Sequence, residues 1–320
     1  MRNTPLLYFP YSQLNKMKNT FRLLLLTLLF TACGGGSDDT GFINPETGQI
    51  VNPNNINANT TGGAYATLYE QPHINSNDVF LTYTTTFNGK QPVTYSIAYN
   101  SERKHARWVA FTFEGSNKGT GWDRNDWDHT EWQGDPWDYA PEIPKEEQMD
   151  SRRGIKSTYG LSGYDRGHLV ASFDRVYSQD ANRQTFYSIN MSPMKSTFNQ
   201  KGPWNKLETK INNRSSGWVT SSDVLYVVKG ATIREGEYTI KNTLTIPNHY
   251  FMALVRKKDN AYYSIAFLIE HNNNTGTSLS KCAMSIDELE TITGIDFFCN
   301  LPDKLENTLE STLDLKPWNL

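Results

Sequence analysis

Cysteine is scarce in this sequence, with three residues among 320, at positions 33, 282 and 299. Cys282 and Cys299 are too few to bind zinc without histidine ligands, and no histidine lies between them. In an oxidising compartment, two cysteines 17 positions apart instead predict a structural disulfide, Cys282–Cys299.

Net positive charge is also absent, because the formal net charge is -3. This balance excludes an overall electrostatic affinity for nucleic acid. It leaves room for a local basic cleft, because steering depends on where the charges lie. No internal repeat and no second linker interrupts residues 65–320. The sequence therefore predicts one domain, which is long enough to bury a substantial core.

Long hydrophobic runs are missing too. The apolar stretch Leu23–Phe30 is too short to span a bilayer. Two basic residues, Lys18 and Arg22, precede it and small residues follow it, which is the layout of a signal peptide. Met17 is a natural start for this leader, which places residues 1–16 upstream of it.

The leader ends at Cys33 in a pattern that resembles a bacterial lipobox, in which the cysteine is lipidated and becomes the mature N-terminus. Phe30 is a departure, because that position is usually Leu. The alternative is a secretory peptide that is cleaved elsewhere, which would give a secreted protein. Residues 34–63, rich in Gly, Asn and Thr, predict a flexible tether. We therefore expect a leader at 1–33, then the tether, then a folded domain at 64–320, anchored by lipid in the cell envelope at the outer membrane.

Alternation of apolar and polar residues predicts that strands dominate the folded domain. Residues 92–100 and 105–113 are rich in β-branched and aromatic residues and predict a pair of strands. Further strand candidates are residues 223–231, 250–257 and 262–271. The expected class is α+β, with a mixed, mostly antiparallel sheet and few helices.

Two short helices are predicted. Residues 202–213 have a proline in the first turn and place Trp204, Leu207 and Ile211 on one face. The second helix follows Ser285, which has a glutamate three residues later as in a capping box, and it ends at Gly294.

Tryptophan recurs every five residues between positions 115 and 140, at Trp122, Trp127, Trp132 and Trp137. No helix or strand has this period, which favours a long loop anchored to the body of the domain by its indole rings. The alternative is a platform on which nucleic-acid bases stack. The acidic residues of the segment would repel phosphate and favour the first interpretation.

Basic charge is concentrated in one part of this acidic chain. Residues 152–214 contain eleven Lys and Arg and four Asp and Glu, an excess of about +7. Such a local excess is expected where a protein contacts phosphates.

Several side chains in this basic region suit the hydrolysis of a phosphodiester. His168 has the side chain whose pKa allows it to activate water near neutral pH. A hard cation such as Mg²⁺ would stabilise the developing charge, and Asn199 and Glu208 offer the oxygen ligands that it prefers. The guanidinium of Arg166 can bind a phosphate through two hydrogen bonds. Gly167 lacks a Cβ and allows close approach beside His168.

The same region carries a combination of motifs. DRGH at 165–168 is followed by N-x-S-P-x-K-x-x-x-N-Q at 190–200 and by W and LE at 204–208. Together these motifs resemble those of the DNA/RNA non-specific endonuclease family, the Serratia-type nucleases with a ββα-metal (His-Me finger) site. The resemblance extends over about Trp108 to Asp303, and it implies that the fold contains a ββα-metal motif.

The resemblance implies specific roles for three residues. His168 would be the general base that deprotonates the attacking water. Asn199 would be the direct protein ligand of a single Mg²⁺, for which Mn²⁺ is an alternative. Glu208 would hold water molecules bound to that metal.

Four further residues would complete the site by the same resemblance. Arg166 would contact the phosphate, and Arg124 would match an upstream arginine that stabilises the transition state. Asn190 would support the site from the end of its strand, and Asp165 would support it from within the DRGH motif.

One departure from the family pattern concerns the path between two of these residues. The stretch from Asn199 to Glu208 is one residue longer than expected, and nine positions of a regular helix would place the two side chains on opposite sides. We therefore expect Asn199 to precede the regular helix, or the first turn to be distorted at Gly202-Pro203.

The sequence as a whole predicts a Mg²⁺-dependent endonuclease that cuts DNA and RNA to 5′-phosphorylated fragments. The alternative is an envelope lipoprotein that binds nucleic acid without cleaving it. The presence of both His168 and Asn199 favours cleavage.

Overall fold

The computed structural model describes residues 42–43, 50–51, 67–115, 122, 124–127, 134–213, 217–220 and 223–320. The predicted leader, Cys33 and most of the predicted tether lie outside these ranges. Within the tether, Phe42–Ile43 (β1) pairs antiparallel with Ile50–Val51 (β2). No helix in the described ranges combines the length and the apolar character needed to cross a bilayer.

The remaining strands form one large sheet and two small ones. They are β3 (Val79–Thr84), β4 (Val93–Asn100), β5 (His105–Glu114), β6 (Tyr164–His168), β7 (Met191–Lys195), β8 (Val224–Ala231), β9 (Tyr238–Lys241), β10 (Leu244–Pro247), β11 (His249–Lys258), β12 (Ala261–Glu270) and β13 (Ala283–Met284). The large sheet has seven strands in the order β13-β12-β11-β8-β5-β4-β3, and each neighbouring pair is antiparallel. The five strands predicted from the sequence are confirmed as its five central strands.

The α-helices of the described ranges are short. They are α1 (Ile155–Tyr159), α2 (Gln179–Gln184), α3 (Ser196–Lys201), α4 (Pro203–Asn212), α5 (Ile286–Thr293) and α6 (Asp303–Glu310). An antiparallel sheet with few helices confirms the predicted α+β class.

Both predicted helices form, and their sequence signals act as expected. In α4 the side chains of Trp204, Leu207 and Ile211 are buried on one face. Before α5, the Ser285 hydroxyl accepts a hydrogen bond from the Glu288 amide, and the Glu288 carboxylate accepts one from the Ser285 amide. Gly294 ends α5 in the left-handed conformation, with φ 66°.

The large sheet separates two cores, because alternate residues of each strand point to opposite faces. On β11, Met252 and Leu254 join the larger core, which also contains Phe198 of α3 and residues of α4. Ala253 of the same strand joins the second core, which contains residues of α5 and Leu309 of α6. The motif-bearing elements and the C-terminal helices therefore lie on opposite faces of the sheet.

The predicted disulfide is wrong. Cys282 and Cys299 are both buried, and no disulfide joins them. Cys282 packs in the larger core, whereas the Cys299 thiol donates a hydrogen bond to the Gln71 carbonyl and is flanked by Phe298, a residue of the second core. Cys282 therefore lies in the larger core, whereas Cys299 lies next to a residue of the second core. Spacing along the chain gave no information about the core that each cysteine adjoins.

Candidate active site

The DRGH motif forms β6, and the first half of the asparagine-rich motif forms β7, its antiparallel partner. His168 lies opposite Met191, and Gly167 lies opposite Ser192. A Cβ at position 167 would overlap the side chain of Met194, so only glycine allows the two strands to pack at this point. Helix α3 follows β7 directly, and the three elements give the ββα order.

Asn199 and Glu208 do not lie on one continuous helix, as the extra residue between them predicted. Asn199 lies in α3, which ends at Lys201, and Glu208 lies in α4, which begins at Pro203. Gly202 between them is extended, and a Cβ there would lie 2.8 Å from the Phe198 carbonyl oxygen. The break therefore removes the constraint that a regular helix would place these side chains on opposite sides.

His168 ends β6 against two aromatic rings. The centroid of its imidazole lies 5.2 Å from that of Trp137 and 5.1 Å from that of Phe186. The Nε2 atom is buried and has no hydrogen-bond partner among the described residues. Burial lowers the pKa of His168 well below its usual value, and the positive charges of Arg124, Arg166 and Lys229 lower it further. The ring is therefore neutral at pH 7.

Arg166 lies beside His168 on the same aromatic surface. Its guanidinium carbon is 3.8 Å from the centroid of the Trp137 ring. Its Nη1 atom donates to the carbonyl oxygens of Ser151 and Arg152, at 3.0 and 3.1 Å. Stacking and hydrogen bonds together fix the plane of this cation.

Arg124 is brought to the same place from the tryptophan-rich segment. Its guanidinium donates two hydrogen bonds to Asp135, at 2.9 and 2.6 Å, and its central carbon is 5.1 Å from the centroid of Phe186. A bidentate pair of this kind holds the cation in one orientation. The second predicted arginine is therefore positioned beside the histidine, although it is distant from DRGH in sequence.

Asn190 supports the chain that follows His168. Its carboxamide accepts from the Val170 amide at 2.9 Å and donates to the carbonyl oxygens of Val170 and Thr185, at 3.0 and 2.7 Å. The side chain is fully buried, so its hydrogen bonds replace those that a neighbouring strand would provide.

Asn199 is held through Asp165. The Asp165 carboxylate accepts hydrogen bonds from Asn199 Nδ2 at 3.0 Å, from the Ser196 hydroxyl at 2.6 Å and from Gln200 Nε2 at 2.8 Å. The carboxylate thus connects the start of β6 to α3. Because the amide nitrogen of Asn199 faces Asp165, its Oδ1 is directed away from that carboxylate and is the atom that could bind a cation.

Glu208 belongs to a charged group that the sequence did not reveal. Its Oε1 lies 3.3 Å from Nζ of Lys229, a buried lysine of β8 that also donates to Asp174 at 3.0 Å. Burial raises the pKa of Glu208 to about 7, the charge of Asp174 also raises it, and Lys229 opposes the shift. Since Lys229 is also among the charges that lower the pKa of His168, this group belongs to the same electrostatic environment.

The structure therefore brings His168, Arg166 and Arg124 together around Trp137 and Phe186. Asn199 and Asp165 lie at the opposite end of β6 from His168, and the structure gives no direct contact between Asn199 and the imidazole. Glu208 is linked to the histidine through the field of Lys229.

The indole rings of the tryptophan-rich segment anchor it to the body of the domain, as the loop interpretation predicts. Trp127 donates from Nε1 to the Asn182 side chain at 2.8 Å, and Trp137 is 3% exposed. Trp122 packs edge-on against Trp127 at 5.0 Å, and Trp132 lies outside the described residues. Trp137 has a second role that was not predicted, because it forms the surface under Arg166 and His168.

Comparison with known proteins identifies a family and several relatives. A family model described as DNA/RNA non-specific endonuclease matches residues 76–304. A nuclease of Nostoc sp. is 27% identical over 229 residues, which is 69% of this chain and 76% of that protein. The nuclease of Serratia marcescens is 25% identical over 227 residues, which is 70% of this chain and 79% of that protein.

The fold is shared with a solved structure as well. A chain in the crystal structure of the EndoG/EndoGI complex superimposes with a TM-score of 0.52 at 22% identity, covering 70% of this chain and 89% of its own. This likeness shows the ββα-metal fold. With a family model that matches most of the chain, the conclusion is that this protein belongs to the DNA/RNA non-specific endonuclease family and is an endonuclease.

Proposed function

We propose that the protein is a Mg²⁺-dependent endonuclease that hydrolyses phosphodiester bonds of both DNA and RNA and leaves 5′-phosphorylated products. One arrangement carries this proposal. A neutral histidine, His168, lies on an aromatic surface beside two fixed guanidinium groups, those of Arg124 and Arg166.

His168 is the general base in this proposal. A base must be unprotonated at working pH, and both burial and the neighbouring cations keep the pKa of His168 low. Its Nε2 atom makes no hydrogen bond to the described residues, so none of them competes with the substrate or water for a hydrogen bond at this nitrogen. The imidazole takes a proton from the water that attacks the phosphorus.

The two arginines stabilise the negative charge that develops on the phosphate. Asp135 fixes Arg124, and the carbonyls of Ser151 and Arg152 fix Arg166. Cations that are oriented before the reaction pay little reorganisation cost in the transition state. Their positive charge also accounts for substrate binding without base recognition, because phosphate contacts carry no sequence information.

The donor set on α3 and α4 fits Mg²⁺. This ion prefers oxygen ligands and retains several waters, and the site offers the amide oxygen of Asn199 and the carboxylate of Glu208. Asn199 would hold the ion directly, and Glu208 would hold its water ligands, with Mn²⁺ as an alternative ion. When bound, Mg²⁺ would stabilise charge on the phosphate and on the leaving oxygen.

The purified protein can be tested with supercoiled plasmid and with RNA, in Mg²⁺ and in excess EDTA. We expect both substrates to be shortened in Mg²⁺ and to stay intact in EDTA. Products should accept a 5′ label from a kinase only after phosphatase treatment. Full activity in EDTA would contradict the metal dependence, and gel retardation without any shortening would support a nucleic-acid-binding lipoprotein instead.

We further propose that the protein is anchored in the cell envelope through a lipid on Cys33. The signal-peptide layout and the tether-like composition of residues 34–63 support this location. A diacylglycerol together with an amide-linked acyl chain would hold the protein firmly at the membrane. Cys33→Ser should abolish incorporation of radiolabelled palmitate and move the protein out of the membrane fraction. A wild-type protein that takes up no palmitate would support secretion instead.

A further inference from the structure

A buried group of carboxylates lies on the face of the large sheet opposite the catalytic residues. Glu290 comes from α5, Asp296 from the segment after it, and Glu306 and Glu310 from one face of α6. All four residues are at least 96% buried. Carboxylate oxygens of Asp296, Glu306 and Glu310 lie within 4.8 Å of one another, and Asp287 forms a second such group with Glu290 and Glu310.

Two of these side chains lack any neutralising contact. All four carboxylate oxygens of Glu306 and Glu310 are buried and have no hydrogen-bond partner among the described residues. Their exposures are 0% and 1%. Buried polar groups are normally hydrogen-bonded, and a buried charge is normally paired or bound to a metal. The two glutamates are also one helical turn apart, where like charges destabilise a helix.

Protonation is the other way in which the charge of these groups could be removed. Burial raises the pKa of Glu306 to about 8, and Asp296 and Asp303 raise it further. Burial also raises the pKa of Glu310, with contributions from Glu290, Glu306 and Asp296. However, the oxygens of Glu306 and Glu310 form no hydrogen bond with one another or with the rest of the described chain. Protonated glutamates are therefore the alternative to a bound cation, and the calcium titration below distinguishes the two, because a protonated pair binds no calcium.

The distances between the carboxylate oxygens of Asp296, Glu306 and Glu310 suit ligands of one shared cation. Oxygen ligands lie about 2.3–2.6 Å from calcium, so two ligands of one ion are up to about 5 Å apart. We propose that Asp296, Glu306 and Glu310 bind one calcium ion, with Glu290 as the adjacent fourth carboxylate. The ion would connect α5, the segment after it and α6.

Calcium fits this site better than magnesium. Magnesium keeps most of its water and demands near-octahedral geometry, whereas calcium accepts six to eight oxygens in irregular cages. This site is buried and is built of several carboxylates from three segments, which matches the preference of calcium. Cys299 lies in the field of Asp296, Glu306 and Glu310, so the ion would secure the same C-terminal segment for which the sequence predicted a disulfide.

The experiment compares the melting temperature of the full chain in EDTA and in calcium at about 10 mM, which is about a hundredfold above the Kd of the tighter extracellular sites. For a protein of this size, a hundredfold excess over Kd should raise the melting temperature by about 5 °C or more. Glu306→Gln and Glu310→Gln should each remove most of this rise. Glu146→Gln, which changes an exposed glutamate outside the group, should retain it.

Calcium bound at the catalytic residues must be separated from calcium bound here. Asn199→Ala should therefore keep the full calcium-dependent rise, and magnesium at the same concentration should raise the melting temperature of Asn199→Ala less than calcium does. Equilibrium dialysis of Asn199→Ala should give one calcium per chain, which also tests the site if the glutamine variants do not fold. No rise and no bound calcium, an equal rise in Glu306→Gln and Glu310→Gln, or a larger magnesium effect in Asn199→Ala would overturn the proposal.

Discussion

Nζ of Lys229 lies 3.3 Å from Oε1 of Glu208 and connects the centre of the large sheet to the proposed metal-binding helix. The same ammonium donates to Asp174, and the side chain of Lys229 is fully buried. One cation therefore contacts two carboxylates and also contributes to the field at His168.

Replacing Lys229 should damage both stability and catalysis. Lys229→Met leaves Asp174 and Glu208 without their buried cation, and breaking such a group typically costs about 3–5 kcal/mol in the free energy of unfolding. The pKa of Glu208, already about 7, should rise further because the charge that lowers it is gone. Urea unfolding and the pH profile of kcat/KM measure the two effects. Lys90→Met, at an exposed position, is the control, and equal behaviour of the two variants would contradict this role.

Removing the imidazole should abolish turnover and preserve binding. His168→Ala should lower kcat by about 10²–10⁴, as is typical when a general base is removed. Binding to DNA should remain, because the arginines that contact phosphate are intact. Initial rates and gel retardation give the two quantities, with His249→Ala as the control histidine. Near-native turnover of His168→Ala would show that another group is the base.

The arginines should control the pH at which the base works. Burial is the largest cause of the low pKa of His168, and Arg124 is the next. Arg124→Met should therefore raise this pKa and move the acidic limb of the kcat/KM profile to higher pH, while also lowering the plateau. A lower plateau with an unmoved limb would mean that Arg124 acts on the substrate alone.

Metal affinity should depend on Asn199. Asn199→Ala removes the amide oxygen proposed to bind Mg²⁺, so activity should require a higher Mg²⁺ concentration, and excess metal should partly restore it. Asn199→Asp keeps an oxygen but loses the hydrogen bond to Asp165 and places two carboxylates together. A Mg²⁺ titration of activity distinguishes these variants, and an unchanged midpoint for Asn199→Ala would exclude Asn199 as a ligand.

Two buried histidines should make the protein sensitive to acid. Burial lowers the pKa of His105 and of His271 to about 4. The folded state therefore binds fewer protons than the unfolded state between about pH 6.5 and pH 4, and the free energy of unfolding falls as pH falls through this window. Each histidine contributes up to about 1.4 kcal/mol per pH unit. Urea unfolding of His271→Gln at several pH values should give a shallower dependence than wild type, and an equal slope would show that His271 does not contribute.

Much of the site was predictable because its motifs are local. DRGH, the asparagine-rich stretch and the caps of α5 are encoded by neighbouring residues, and the extra residue after Asn199 correctly predicted the break at Gly202. Lys229 was missed because its partners are distant in sequence. A signal was nevertheless present, since alternation in β8 places Lys229 on the same face as the buried Leu225 and Val227.

The surface under the histidine was missed for a similar reason. Trp137 and Phe186 meet only after the tryptophan-rich segment folds against the chain between α2 and β7. The disulfide was wrongly predicted because the number of residues between two cysteines does not indicate the face of the sheet on which each one lies. Contacts across the sheet depend on register and on packing, which only the tertiary structure fixes.

The close packing of Gly167 against Met194 makes the site sensitive to any enlargement of the Met194 side chain. Met194 is fully buried and lies opposite Asp165 on β7. Oxidation would convert its thioether into a larger, polar sulfoxide. There is no room for the added oxygen, because the Met194 side chain already fills the space that a side chain at Gly167 would occupy. The strand that carries His168 would then have to move. Oxidation of Met194, wherever local opening exposes it, is therefore expected to inactivate the enzyme without chemical change to any residue of the proposed mechanism.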